Sequence, residues 1–147
     1  MTVEEVIVDR VASIAAVIAL VGSRVYLDKL PQGVAFPVVL VQLVDDLDAF
    51  HLRGKNKPQR ARVQVDAYVH EESGIDPYAQ VTALVAAIDG DGKGPAATGL
   101  SGWKGSVGSP PVVIHGCFRT SRLRRYDPDE LNLLRMSQDY IVSYTGS

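Results

Sequence analysis

"RARVQVDAYV" runs from Arg60 to Val69, and its reading decides the fold class. Ala61, Val63, Val65, Ala67 and Val69 point one way, and Arg60, Arg62, Gln64, Asp66 and Tyr68 the other. Successive side chains of a β-strand face opposite sides, so strict alternation marks a strand with one buried face. The polar face is expected to be wet or to meet another subunit. The segment upstream, "VVLVQLV" (Val38–Val44), is β-branched with only Gln42 polar, and it reads as a central strand.

Between these two strands lies a charged stretch, about Asp45 to Gln59, that reads as a hairpin loop. Asp45, Asp46 and Asp48 come first, followed by Arg53, Lys55, Lys57 and Arg60. The loop is either simply solvated or a contact surface. In the second case these seven residues are the candidate interface, with the four basic ones as the residues to mutate.

The chain begins with a helical pattern. Thr2 and Glu5 have capping-box spacing, and Val3, Val6, Ile7, Val11, Ile14, Val17, Ile18 and Val21 recur at helical intervals up to Gly22. From Val11 to Gly22 no residue is charged, and Ala12, Ala15, Ala16 and Ala19 occupy much of the opposite face. A helix apolar on both faces needs two covers. Two are open for the second face: a neighbouring subunit, or the protein's own C-terminal segment. Val11–Val21 is too short for a membrane span, which takes about 20 residues. The residues before it are acidic rather than basic, so they are not a signal sequence but part of a folded helix in a cytoplasmic protein. "SRVYLDKLPQGVAFP" then offers a brief strand at Arg24–Tyr26 and a turn at Pro31 and Gly33.

Downstream of the alternating strand, Asp76 caps a second helix, Pro77 takes its first position and Gly90 ends it. Val81, Leu84, Val85 and Ile88 are its buried stripe. Gly90 to Pro111 holds seven of the 13 glycines and three of the 8 prolines, the composition of a flexible connector, with Trp103 as either a packed anchor, the favoured reading, or an interface hot spot. Val112–Tyr126 reads as a long strand broken by Asp127-Pro128. "LLRMSQDYIVSY" reads as the last strand, packing Met136, Tyr140, Val142 and Tyr144. The expectation is therefore an α+β domain over residues 1–147. It has an antiparallel β-sheet of about four strands with two helices packed on one face.

At 147 residues one domain with an ordinary core is expected. The net charge of −2 argues against a generic polyanion binder, although Arg53–Arg62 and Arg119–Arg125 concentrate basic residues. A small nucleic-acid-binding module would use those two segments, but only Phe118 and Tyr126 supply aromatic interleaving there. A single cysteine, Cys117, excludes an internal disulfide and reads as a small buried hydrophobe. His51, His70 and His115 are scattered, so no metal is expected. HExxH, CxxC and GxSxG are absent. "GDGKG" (Gly90–Gly94) lacks the context of a phosphate loop, and Asp66 is not followed by a Glu-x-Lys pattern. No enzyme and no cofactor are expected.

Several segments, taken in order, resemble the tail-completion or tail-terminator proteins of long-tailed phages and prophages. They are "LVGSRVY" (Leu20–Tyr26), "LPQGVAFPVVLVQLV" (Leu30–Val44), "RVQVDAYV" (Arg62–Val69), "ALVAAIDG" (Ala83–Gly90) and "YDPDELNLLRMSQDYIVSY" (Tyr126–Tyr144). The Gly90–Pro111 connector departs from the family pattern. The resemblance implies a structural virion protein that assembles in the host cytoplasm as a homo-oligomeric ring, commonly a hexamer. The ring sits at the head-proximal end of the tail, ends polymerisation of the tail tube and joins the tube to the head connector. DNA crosses its lumen only as cargo, and no membrane is involved. Another neck or head-completion protein is the nearest alternative. On this reading Ala12, Ala15, Ala19, Arg122, Arg124 and Arg125 are secondary interface candidates.

Overall fold

The alternating segment forms the axis of the sheet. The computed structural model describes residues 1–46, 59–72, 76–92, 97–126 and 132–146. Helix α1 (Val3–Ser13) and helix α2 (Ala15–Val21) lead into strands β1 (Val25–Leu27), β2 (Val38–Asp46) and β3 (Gln59–His70). Helix α3 (Pro77–Asp89), β4 (Gly105–Val107), β5 (Val112–Tyr126) and β6 (Leu133–Thr145) follow. The strand order is β1-β2-β3-β6-β5-β4. The β1–β2 pair is parallel and the remaining pairs are antiparallel.

The class is α+β as expected, but the sheet is six-stranded and mixed rather than four-stranded and antiparallel, and there are three helices rather than two. The two extra strands are short. Val25–Leu27 pairs with Val39–Val41, and Gly105–Val107 pairs with Val112–Ile114. The first is the brief strand expected at Arg24–Tyr26, one residue on; Gly105–Val107 carries no readable period, so only tertiary pairing defines it.

The third helix comes from a break. Ile14 has extended backbone (φ −73, ψ 117) and serves as C-cap of α1 and N-cap of α2. Just before it, the Ser13 hydroxyl donates to the Arg10 carbonyl at 2.7 Å. Such local bonds compete with the helical ladder. The apolar spacing persists through the break because Val11, Ile14, Val17 and Val21 all still reach the core. The capping box at Thr2 and Glu5 forms with both of its bonds. At α3, the Asp76 carboxylate accepts from the Tyr78 and Ala79 amides, and Val81, Leu84, Val85 and Ile88 are buried.

The helices pack one face of the sheet, where the apolar side of β3 meets Val39, Val41, Tyr140 and Val142 in a single core. The polar side of β3 is not simply wet. Asp66 is fully buried and Tyr68 nearly so. The chain before β2 folds over this second face at one end, where Leu30, Val34 and Phe36 pack on Val38, Leu40, Tyr68 and Leu133. Over the rest of that face Arg62, Gln64, Ser137 and Asp139 are half-buried.

Within residues 90–111, Leu100 and Trp103 are buried. The Leu100 and Ser101 amides donate to the Ile88 and Asp89 carbonyls, tying this segment to the end of α3. Arg10 stacks over the Trp103 ring at 5.0 Å and donates to the Ala97 and Gly99 carbonyls. Trp103 is thus an anchor, as its isolation in a glycine-rich segment suggested.

Candidate assembly surfaces

Three surfaces stand out: an alanine-lined groove, and two sheet edges of opposite charge. Ala12, Ala15, Ala16 and Ala19 are exposed on the side of α1 and α2 away from the core, with Ile18 beside them at 46% exposure. Ala15 and Ala16 face Ala86 and Ala87 of α3 across a groove of about 660 Å³, closed at its end by Gly90, Asp91 and Thr98. Among the described residues, nothing covers the second face of the N-terminal helical segment. The C-terminal segment, one of the two covers considered, forms β6 inside the sheet instead.

Asp45 and Asp46 end β2 and are exposed, next to the exposed Leu43 and Val44. A bulge between Leu43 and Asp45 lets Asp45 lie opposite Arg62 and Asp46 opposite Ala61. Arg60 is exposed at the start of β3. Asp48, Arg53, Lys55 and Lys57 lie outside the described residues.

At the opposite side of the sheet, β4 pairs only with Val112–Ile114, and β5 runs on beyond it. From Phe118 to Tyr126 every residue is exposed. Phe118 at 62% and Leu123 at 57% are the most exposed large apolar side chains in the described structure. Arg122, Arg124 and Arg125 do not form one patch. Arg122 and Arg124 lie opposite Gln138 and Met136, on the helix side, whereas Arg125 lies opposite Arg135, on the other side. The helix-side arginines are engaged. Arg119 reaches Asp89 at 3.3 Å, Arg122 donates to Gln138 Oε1 at 2.9 and 2.8 Å, and Arg124 stacks over Tyr78 at 4.0 Å. Arginines held by protein partners have less to offer a phosphate backbone, which weakens the nucleic-acid reading.

Sequence reasoning missed the polar seams behind these edges. On the helix side, Tyr140 donates to Asp89 at 2.9 Å, and buried Gln138 donates to the Val85 carbonyl at 3.3 Å. Burial, and then the Asp89 charge beside it, push the Tyr140 hydroxyl far above its usual pKa, so it stays a donor. On the other side, Arg135 pairs with Asp66 at 3.1 Å, and Gln64 donates to the same carboxylate at 2.9 Å. These residues stand at alternating positions on β3 and β6. A single polar residue on the buried phase of an alternating strand, such as Gln138, was the available signal.

Cys117 is buried as expected. Burial first, and the Asp89 charge second, push its thiol from an ordinary 9.0 up to about 12. Below about pH 9 both folded and unfolded chains keep this proton. As pH rises from about 9 toward 12, the unfolded thiol ionises first, so stability is lost. Urea midpoints should therefore fall more steeply above pH 9 in the wild type than in Cys117→Ala. Parallel curves would place the thiol in contact with water.

No helix among the described residues is long and apolar enough to cross a membrane, and the described residues hold no metal-ligand cluster. Charged edges and an uncovered apolar helix face are the equipment of a protein that works through contacts with other proteins. The chain belongs to the tail completion protein gp17 family, whose model matches residues 5–144. That places it among structural proteins of the phage tail and virion. Its fold is similar to that of a chain in the solved virion of a native gene transfer agent (GTA) particle. The TM-score is 0.62 at 17% identity, over 98% of this chain and 95% of that one. No curated protein matches the sequence.

Proposed function

We propose that the protein forms a homo-oligomeric ring, a hexamer, at the head-proximal end of the tail tube. The ring ends tube polymerisation and offers the head connector its docking surface, with DNA passing through the lumen. The observation that carries this reading is the family match across residues 5–144. The surfaces support it. A closed ring needs heterologous contacts, in which one patch meets a different patch on the next subunit. The acidic end of β2 and the arginine-bearing edge of β5 are two such patches on opposite sides of one sheet. The uncovered alanine groove adds an apolar contact to these charged ones.

The test uses the cognate tube protein under conditions in which it polymerises. Added in substoichiometric amounts, this protein should cap one end of each tube and arrest growth, seen by electron microscopy as uniform short tubes with extra density at one end. Tubes of unchanged length with bare ends would contradict the reading.

A further inference from the structure

The two free edges of the sheet share a property that the ring reading does not require: they fit each other as strands. Beyond Val41, where the β1 pairing ends, β2 continues to Asp46 with its outer side open among the described residues. Beyond Cys117, whose carbonyl accepts from the Gly102 amide at 2.8 Å, β5 continues to Tyr126 in the same condition. An open edge presents a row of unpaired amide and carbonyl groups, which is a template for another strand.

The directions fit as well. β2 is antiparallel to β3, β3 to β6, and β6 to β5. So β2 and β5, at opposite ends of this run, point opposite ways. Copies related by rotation about an axis along the strands keep those directions. The β2 edge of one copy then meets the β5 edge of the next in antiparallel sense, the more stable pairing.

Charge selects this pairing over its rivals. The β2 edge carries Asp45 and Asp46, and the β5 edge carries Arg124 and Arg125. Two β2 edges repel each other and so do two β5 edges, whereas β2 against β5 places opposite signs together. Each edge also exposes large apolar side chains, Leu43 and Val44 on one and Phe118 and Leu123 on the other. Charge without such apolar area would not hold a stable contact.

We infer that the Leu43–Asp46 edge of one copy adds as a strand to the Phe118–Tyr126 edge of the next copy, carrying the β-sheet across the subunit boundary. This rests on the ring reading and supplies its contact. The bulge at Val44 bends the end of β2 and limits the added ladder to a few residues, so the ion pairs set its register.

Charge reversal separates the possibilities. In Asp45→Arg/Asp46→Arg both edges are basic, and in Arg124→Glu/Arg125→Glu both are acidic. The four side chains are exposed, so both variants should fold, checked by circular dichroism and thermal midpoint. Sedimentation, alone and with tube protein, should show loss of assembly to single chains for each variant. A one-to-one mixture should restore the wild-type mass, because every contact then joins opposite signs again. As a second measurement, Asp46→Cys/Arg124→Cys, two positions on the helix side of the sheet, in a Cys117→Ser background should give a ladder of disulfide-linked chains under oxidation, and neither single cysteine should. If either reversed variant still assembles, if the folded mixture stays monomeric, or if no ladder forms, edge pairing is wrong while a wild-type ring stands. If the wild type itself stays monomeric with tube protein present, both the pairing and the ring reading fall.

Discussion

Gly90→Ala should lower the free energy of unfolding by about 3–5 kcal/mol, the range reserved for substitutions that strain the backbone and break packing at once. Gly90 ends α3 with φ 75 and ψ −160, a region essentially restricted to glycine, where another residue costs about 1–3 kcal/mol. Space is the second cost. A Cβ on Gly90 would sit 2.6 Å from Gly99 Cα and closer still to the Gly99 nitrogen. Both are backbone atoms, so no side chain can swing aside. The displaced segment carries Leu100 and Trp103, both buried, and its amides bond to the last carbonyls of α3. Gly33→Ala is the control. Its φ of 74 is also positive, but nothing lies within 4 Å of the added Cβ, so only the conformational cost, about 1–2 kcal/mol, should appear. Denaturant unfolding of both variants measures the difference. Equal losses would show that Gly90 and Gly99 are not in backbone contact.

Removal of Arg135 should be the next largest effect. Asp66 is fully buried on β3, and its carboxylate is held by Arg135 at 3.1 Å and Gln64 at 2.9 Å. Arg135 also lies over the Tyr68 ring at 5.7 Å and donates to Ser137 at 3.1 Å. Arg135→Met leaves an uncompensated charge, which in buried pairs costs about 3–5 kcal/mol. Because Arg135 keeps 20% side-chain exposure, a loss near 3 kcal/mol is expected. Replacing both partners, Asp66→Leu with Arg135→Met, should recover most of that loss, since a well-packed apolar pair often equals a buried ion pair. Denaturant unfolding of the two single variants and the double variant gives the coupling. Additive losses would mean that Asp66 and Arg135 stabilise the sheet independently.

Much of the fold was legible because its signals are local. The alternation of Arg60–Val69, the Asp76-Pro77 start of α3 and the capping box at Thr2 and Glu5 each depend on residues a few positions apart. What escaped depends on partners far along the chain. Gly105–Val107 is a strand only because β5 accepts it, and its three residues show no period, whereas the brief strand expected at Arg24–Tyr26 forms one residue on, at Val25–Leu27. The polar phase of β3 read as wet or as meeting another subunit because nothing near it predicts that the 28–37 segment will fold over Tyr68, or that Arg135 will pair with Asp66. The break at Ile14 was hidden because its burial fits an uninterrupted helix equally well.

The candidate surfaces divide in the same way. Ala12, Ala15 and Ala19 read as a second apolar face whose cover was open between a neighbouring subunit and the C-terminal segment; the structure puts that segment in the sheet and leaves the three alanines exposed. Asp45 and Asp46 read as the start of a hairpin loop, but β2 runs on through both and pairs them with Arg62 and Ala61. Arg122, Arg124 and Arg125 read as one basic cluster, but the sheet parts them: Arg122 and Arg124 face the helix side, Arg125 the other. Strand pleating splits any run of charges in this way. Phe118 was read only as an aromatic beside the arginines and Leu123 was passed over, because apolar residues in a strand are expected inside; β4 pairs only with Val112–Ile114, which leaves both on a free stretch of β5.

Native mass spectrometry of the purified protein, alone and with tail tube protein, tests the central claim most directly. The account predicts a closed assembly of six chains, formed alone or when tube protein is added. A mass of one chain under both conditions would contradict it.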